Sequence, residues 1–148
     1  MKLSFRRWFF VLIGIALAGF LLIQLVPYGR DHTNPPVLLE PAWDSPRTQQ
    51  LAEAACYDCH SNRTNYPWYS NVAPASWLLA HDISEARNAF NFNEMTPEQG
   101  KFMVNLMVER VKDASMPPFQ YQAIHPEARF STQEREDLIQ GLLLTFQK

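Results

Sequence analysis

The chain has 148 residues, of which 47% are hydrophobic, and its formal net charge at pH 7 is −2. Once an apolar N-terminal stretch is set aside, the remaining length suits one small domain. The part beyond residue 26 holds ten basic and fifteen acidic residues, a net charge of −5. No basic patch stands out against this excess of carboxylates, so we predict no binding to nucleic acid.

The first predicted element is a transmembrane anchor over residues 8–26. This segment, WFFVLIGIALAGFLLIQLV, carries no charge, and as a helix it just crosses a hydrocarbon core of roughly 30 Å. A cleaved signal peptide is the alternative. A signal peptide needs a cleavage site of small residues at the end of its apolar part. The one Ala-x-Ala pattern of this segment, at Ala16 and Ala18, lies inside the apolar run instead. The pattern therefore favours an uncleaved anchor in the lipid bilayer.

The flanking charges predict the orientation of this anchor. Basic residues are concentrated in residues 1–7, the predicted cytoplasmic n-region, and only Arg30 follows the apolar segment closely. Because positive charges favour the cytoplasmic side, we expect a single-pass protein of the bacterial inner membrane whose remaining chain is periplasmic. Residues 27–44 are rich in proline and have no helical period, which predicts an extended linker. His32 lies in this linker, too far from a second ligand to indicate a site.

Residues 45–148 contain four helical segments and no strand pattern, which predicts an all-α domain. Ser45 and Pro46 begin the first helix, with proline at its first position, and the sequence RTQQLAEAAC continues it. The second helix is predicted from about Pro74 to Phe90. We found no internal repeat and no low-complexity segment.

Capping boxes begin the third and fourth helices. Thr96 pairs with Gln99 in one box, and Ser131 pairs with Glu134 in the other. Apolar residues then recur at spacings of three and four, which predicts a buried stripe on each helix. The predicted stripes are Phe102, Met103, Leu106, Met107, Arg110 and Val111 in the third helix, and Leu138, Ile139, Leu142, Leu143 and Phe146 in the fourth.

Both cysteines lie in the sequence CYDCH, in which Cys56 and Cys59 are followed by His60. A thioredoxin-like dithiol would follow a strand, and a structural zinc site would need a second pair of ligands. A short disulfide would stabilise little and would leave His60 unexplained. Cys-x-x-Cys-His is also the attachment sequence of c-type haem, with two thioether bonds and a histidine ligand. We therefore predict one covalent haem c.

A six-coordinate haem needs a second axial ligand, for which Met116 is the preferred candidate. It follows the third helix in the sequence SMPPF, where two prolines hold the chain extended. His125 and His81 are the alternatives. Met103 and Met107 lie on the predicted buried stripe, where methionine more often fills the core.

Aromatic and basic residues after the cysteine motif are candidates for contacting a haem. Trp68, Tyr69 and Trp77 follow it closely, and such rings can bury the faces of a large flat group. Ring N–H and phenol O–H groups can also donate to propionates. The charged candidates for the propionates are Arg63, Arg87 and Arg129.

The chain also resembles a known family over the stretches ACYDCHSNRTNYPWYSNVAPASWLLAHDISEAR and MPPFQYQAIHPEARFSTQERE. These stretches are similar to the haem-binding domain family of small membrane-anchored bacterial proteins, relatives of class I cytochromes c. The resemblance covers about Pro41 to the C-terminus. It implies covalent haem c on Cys56 and Cys59, with His60 as the proximal ligand, and it supplies no pathway.

The sequence therefore predicts a cytochrome c-like helical domain on one N-terminal anchor. We expect an electron carrier between redox partner proteins of the membrane or periplasm, because two axial ligands leave no position for a substrate. The alternative is a gas or redox sensor, or a peroxidase-like enzyme, with an open axial position. An enzymatic role is the less favoured of the two.

Overall fold

The computed structural model describes residues 5–147, and within this range the chain is helical without strands. The predicted all-α class is therefore confirmed. Residues 1–4 of the predicted n-region lie outside the described residues. The α-helices are α1 (Phe5–Ile23), α2 (Pro46–Ala55), α3 (Tyr57–His60), α4 (Ala75–Ala89), α5 (Pro97–Lys112), α6 (Phe119–Ile124) and α7 (Thr132–Phe146). Two 3₁₀ helices cover Trp68–Asn71 and Pro126–Ala128.

The helix starts follow the capping signals of the sequence. The Ser45 side chain accepts a hydrogen bond from the Thr48 N–H at the start of α2. Both predicted capping boxes are formed, with Thr96 beginning α5 and Ser131 beginning α7. Each box satisfies two N–H groups that the first turn of a helix leaves without partners.

The chain divides into two compact units. The first contains the chain up to Thr33 together with Tyr66–Asp82, and the second contains Asn34–Asn65 and the chain from Ile83 onward. In the first unit, α1 is 19 residues long with a mean hydropathy of 1.9, and none of its residues is buried. This helix is long and apolar enough to cross a membrane.

Side-chain hydrogen bonds hold the segment that follows α1 within the first unit. Gln24 donates to the Ala73 carbonyl at 2.9 Å and accepts from the Ala73 N–H at 3.0 Å. The ring of His32 stacks on Tyr66 with centroids 4.4 Å apart. Gly29 has a φ of 76°, and a Cβ there would overlap the Ser76 carbonyl, so this position needs glycine.

Helices α2, α5 and α7 form the core of the second unit. Two glycines allow close helix packing, since a Cβ on Gly100 would overlap the ring of Phe146 and a Cβ on Gly141 would overlap Thr48. The buried core residues are Leu51, Ala52, Tyr57, Phe92, Met95, Val104, Met107, Val111, Leu138, Ile139, Leu142 and Phe146. The predicted stripe of α7 is confirmed, with Leu143 packed at the edge of this core.

The predicted stripe of α5 is confirmed for Met107 and Val111, which are buried, and for Met103, which packs against the core. It is wrong for its other three members, because Phe102 is 83% exposed, Leu106 is 43% exposed and Arg110 is also exposed. Gly100 and Val104 complete the buried face of α5. The close contact of Gly100 with Phe146 places this face of α5 against α7, and Phe102 is thereby turned outward.

The second half of the predicted linker makes specific contacts within the second unit. The Leu38 and Leu39 N–H groups donate to the Asn93 carbonyl at 3.1 and 2.9 Å. Asn34 donates to the Thr64 carbonyl at 2.9 Å, and its own side-chain oxygen accepts from the Thr64 N–H at 3.2 Å. We call residues 34–40 the strap. The strap is therefore held by the backbone of Thr64, just after the cysteine motif, and by that of Asn93, just after α4.

Candidate haem site

The cysteine motif lies on one short helical turn. Helix α2 ends at Ala55, and Cys56 leads directly into α3. The Cys56 carbonyl accepts hydrogen bonds from the N–H groups of Cys59 at 3.2 Å and His60 at 2.8 Å. These two bonds hold both cysteines and the histidine in one compact group.

The two cysteines are present as thiols, and no disulfide joins them. Burial of the thiol raises the pKa of Cys56 to about 12, and the nearby Cys59 makes a smaller contribution in the same direction. The Cys56 thiol is therefore protonated at neutral pH. Redox-active dithiols have a lowered thiol pKa instead. The pKa shift of Cys56 is thus opposite in direction to that of redox-active thiols.

The His60 imidazole is buried and oriented by neighbouring groups. Its Nδ1 lies 3.3 Å from the Phe90 carbonyl oxygen, and its ring stacks on Phe90 with centroids 4.0 Å apart and an interplanar angle of 10°. Burial lowers the pKa of His60, against the opposing effect of the backbone carbonyls of Phe90 and Ala86. In the neutral imidazole, Nδ1–H then donates to Phe90, and Nε2 keeps a lone pair that can bind a metal.

Met116 lies in the loop between α5 and α6, as the sequence predicts. Its N–H donates to the Arg110 carbonyl at 2.9 Å, and 38% of the residue is exposed. The helix that follows is linked to the cysteine motif, because the Tyr121 hydroxyl donates to Asp58 Oδ2 at 2.7 Å. Burial and this bond to Asp58 raise the pKa of Tyr121, which keeps the phenol protonated. Helix α6, which follows the Met116 loop, is thus bonded to the cysteine motif through Asp58.

The alternative axial ligands have different surroundings. His125 is partly buried, its Nδ1 lies 3.0 Å from Glu127 Oε1, and its ring stacks on Tyr121 with centroids 4.0 Å apart. His81 lies exposed on α4. Met107 is buried in the core, and Met103 packs against it, which agrees with their interpretation as core residues.

The arginines considered for the propionates all have acceptors in the protein. Arg63 forms an ion pair with Glu40 at 2.9 Å. The Arg87 guanidinium donates to the Ser61 carbonyl at 2.9 Å and to Thr64 at 3.0 Å. Arg129 donates to two backbone carbonyls at the end of α6.

The three aromatic candidates lie in the first unit, whereas the cysteine motif lies in the second. Trp68 is 80% exposed and makes an edge contact with Tyr69. The indole nitrogen of Trp77 is buried and has no hydrogen-bond partner among residues 5–147. The contact of these three residues with haem stays a prediction. Among them, Trp77 has a buried N–H group without an acceptor in the described part of the chain.

An open groove of about 570 Å³ lies between the end of α4 and the start of α5. Phe90, Met95, Phe102 and Met103 contribute its apolar lining. Neither cysteine lines it, and neither does His60, so we do not assign it as the haem site.

Sequence reasoning missed several residues around His60 and Met116. The Tyr121 hydroxyl links α6 to Asp58 of the motif, and buried asparagines lie on the two chain segments that carry His60 and its partner Phe90. The repeated asparagine in the sequence NFN, directly after α4, was the available signal, since asparagine outside a helix commonly bonds to the backbone.

Comparison with protein families supplies independent evidence about this site. The model of a haem-binding domain family matches residues 18–143. The chain belongs to this family. Haem binding is therefore supported by more than the cysteine motif, and the match includes the motif, α6 and most of α7. No curated protein and no solved structure matches the chain significantly.

The donor set of this member of the haem-binding domain family fits a c-type haem. Two thiols and a neutral imidazole lie on one turn, and the Nδ1 of that imidazole has a carbonyl partner. Metal-bound histidines generally carry such a partner on the second ring nitrogen. The residues present thus offer both the sulfur atoms for attachment and an oriented nitrogen ligand.

Proposed function

We propose that the protein binds one haem c covalently and transfers electrons at the outer face of the bacterial inner membrane. The observation that carries this proposal is the state of His60. Its Nδ1 is paired with the Phe90 carbonyl, which leaves Nε2 as the ligand atom beside two thiols.

Attachment adds each thiol across one vinyl group of the haem. The S–H bond of Cys56 or Cys59 breaks, a C–S thioether bond forms at one vinyl carbon, and the hydrogen goes to the other carbon. No external oxidant is needed for this addition. When bound, the haem supplies a one-electron redox couple.

The remaining residues hold and shield the cofactor in this proposal. His60 and Met116 would both bind the haem iron, so that no position would be left for a substrate. Arg63 would bind a haem propionate in place of Glu40, the carboxylate with which it forms an ion pair. Electrons pass to and from redox proteins of the membrane or periplasm.

Helix α1 and its flanking charges support the proposed location of the haem. Helix α1 can span the bilayer, and the basic residues before it favour a cytoplasmic N-terminus. The proposed site then lies in the periplasm. We expect the full-length chain to stay with membranes after a high-salt wash and to retain its N-terminus in mass spectrometry. A mature chain that begins after residue 18 would contradict the anchor.

A second candidate function is favoured by the exposure of Met116. This residue is 38% exposed and its N–H makes a single hydrogen bond, so the thioether could leave the sixth position. An open position would suit a gas or redox sensor, or a peroxidase-like enzyme.

A visible absorption spectrum of the purified, oxidised full-length protein tests the choice between these functions. We expect the weak band near the red end that thioether ligation produces, together with slow binding of carbon monoxide after reduction. A protein that lacks this band and binds carbon monoxide readily would favour the sensor or peroxidase-like function. A protein without any haem spectrum would refute both.

A further inference from the structure

Three buried asparagines next to His60 form a closed cycle of hydrogen bonds. The Asn91 amide donates to Asn62 Oδ1 at 2.7 Å, and the Asn62 N–H donates to Asn93 Oδ1 at 3.0 Å. The Asn93 N–H then donates to Asn91 Oδ1 at 2.9 Å, which completes the cycle. Each side-chain oxygen of the cycle therefore has a donor.

The remaining polar atoms of these side chains are also paired. Asn62 Nδ2 donates to the Pro36 carbonyl at 2.8 Å and to Glu94 at 2.9 Å. Asn93 Nδ2 donates to the Leu39 carbonyl at 3.1 Å and to Glu40 at 3.0 Å. The exposed fractions of Asn62, Asn91 and Asn93 are 2%, 6% and 0%. A buried polar network in which every member is satisfied makes a structure rigid and unique.

The cycle joins the same two chain segments that hold His60. One segment carries Asn62 directly after the motif, and the other carries Asn91 and Asn93. Between these positions, the Phe92 N–H donates to the His60 carbonyl at 2.8 Å, while the Phe90 carbonyl accepts from His60 Nδ1 at 3.3 Å. The backbone and the imidazole of His60 are thus both bonded to the segment that the cycle fixes.

We propose that Asn62, Asn91 and Asn93 are positioning residues for the proximal ligand, fixing the Phe90 carbonyl against His60 Nδ1. The inference rests on the proposed function in taking His60 as an axial ligand. A hydrogen bond from Nδ1–H makes an imidazole a stronger electron donor to a bound metal. Loosening the cycle therefore weakens that donation, which favours the reduced state and raises the reduction potential.

A purely structural role for the cycle predicts a different result. The asparagines also hold the strap through Pro36 and Leu39. If anchoring the strap were their whole role, substitutions would lower stability without changing the environment of His60 Nδ1–H. The rate at which the His60 Nδ1–H proton exchanges with solvent therefore distinguishes a positioning role from a purely structural one.

The experiment uses the full-length, haem-loaded protein in detergent and compares two changes at one position. Asn91→Leu removes both bonds that the Asn91 side chain makes in the cycle. Asn91→Ser is milder, because a serine hydroxyl can still accept from the N–H two residues later but cannot reach Asn62. The control is Asn88→Leu, which changes an exposed asparagine at the end of α4.

The measurements are the exchange of His60 Nδ1–H by nuclear magnetic resonance of the reduced protein, and the reduction potential. We expect exchange about fivefold faster in Asn91→Leu, the factor that corresponds to a loss of about 1 kcal/mol in the hydrogen bond between His60 Nδ1–H and the Phe90 carbonyl. Asn91→Ser should show a smaller increase, and both variants should have a raised potential. Asn88→Leu should match the parent in both measurements.

Parental exchange in a folded, haem-loaded Asn91→Leu or Asn91→Ser variant would overturn the positioning role. An equal effect of Asn88→Leu would overturn it as well. These results leave the proposed function intact, because the parent would still carry haem. A parent without a haem spectrum would instead refute the proposed function itself.

Discussion

The two sides of the proposed haem site differ in how firmly the protein holds the axial residue. His60 is 9% exposed, its ring stacks on Phe90, and both its Nδ1 and its carbonyl are hydrogen-bonded to one fixed segment. Met116 is 38% exposed and is held through one backbone hydrogen bond. The fold itself therefore orients His60, the proposed proximal ligand, whereas the position of Met116, the proposed distal ligand, depends on a loop. We expect ligand exchange to occur on the distal side.

Removing the thiols should have the largest effect, because the proposed covalent bonds to haem on the proximal side can then not form. We expect the Cys56→Ala/Cys59→Ala double variant to lose haem in acidic, denaturing extraction, while the parent retains it. Haem staining of a denaturing gel measures this directly. Staining of the double variant at the parental level would show that haem is not attached through these residues.

Substitution of Met116 should open the distal side without disturbing the proximal side. We expect Met116→Ala to bind carbon monoxide or cyanide at least about tenfold faster than the parent, since no protein ligand must first be displaced. Met116→His should lower the reduction potential, because imidazole favours the oxidised state more than a thioether does.

Met103→Ala is the matched control for Met116→Ala, because Met103 packs at the edge of the core. It should leave both ligand binding and the red thioether band unchanged. If Met116→Ala matched the parent in both measurements, Met116 would not be the distal ligand, and the proposed difference between the two sides would be contradicted.

Breaking the link between Tyr121 and Asp58 should loosen the distal loop by a smaller amount. Tyr121→Phe removes a hydrogen bond of 2.7 Å. The loss of about 1 kcal/mol corresponds to about a fivefold larger population with an open sixth position. Stopped-flow binding of cyanide measures this increase. Tyr28→Phe, at an exposed tyrosine of the first unit, should have no effect, and equal rates in both variants would contradict the link.

Substitution of His125 should have the smallest effect on the haem spectrum. His125→Ala removes the contact with Glu127 and the stacking on Tyr121, but we expect the red thioether band to remain. Loss of the band in His125→Ala, with Met116→Ala unchanged, would assign the sixth ligand to His125. The same comparison with His81→Ala tests the other alternative.

The helices were predictable because their signals are local. Ser45, Thr96 and Ser131 each form the cap that their sequence indicates. The stripe of α7 was also predictable, because its apolar residues lie mainly on one face. Capping and periodicity involve residues within a few positions of one another, so one sequence contains the necessary information.

The period of α5 predicted only part of its buried face, namely Met103, Met107 and Val111. Apolar residues occur on more than one face of this helix, including Phe102 and Val104. The contact of Gly100 with Phe146 selects the buried face, and this contact joins α5 to α7. A periodic pattern gives the spacing of buried positions, but packing against another helix decides between competing faces.

The sequence CYDCH indicated the proposed haem attachment, but it did not indicate the residues that support His60. The bonds among Asn62, Asn91 and Asn93 join segments about 30 residues apart, and the partner of His60 Nδ1 is a backbone carbonyl. Every residue has a backbone carbonyl, so no residue type in the sequence marks this partner. Short helix α6 and the Tyr121 link were missed because the prolines before them indicate only a loop.

The most direct test of the central claim is the intact mass of the purified full-length chain after denaturation in acid. Covalent attachment predicts a single species that is heavier than the polypeptide by the mass of one haem, and the Cys56→Ala/Cys59→Ala variant should lack this increase. A parent chain with the mass of the bare polypeptide, together with free haem in the extract, would contradict the account.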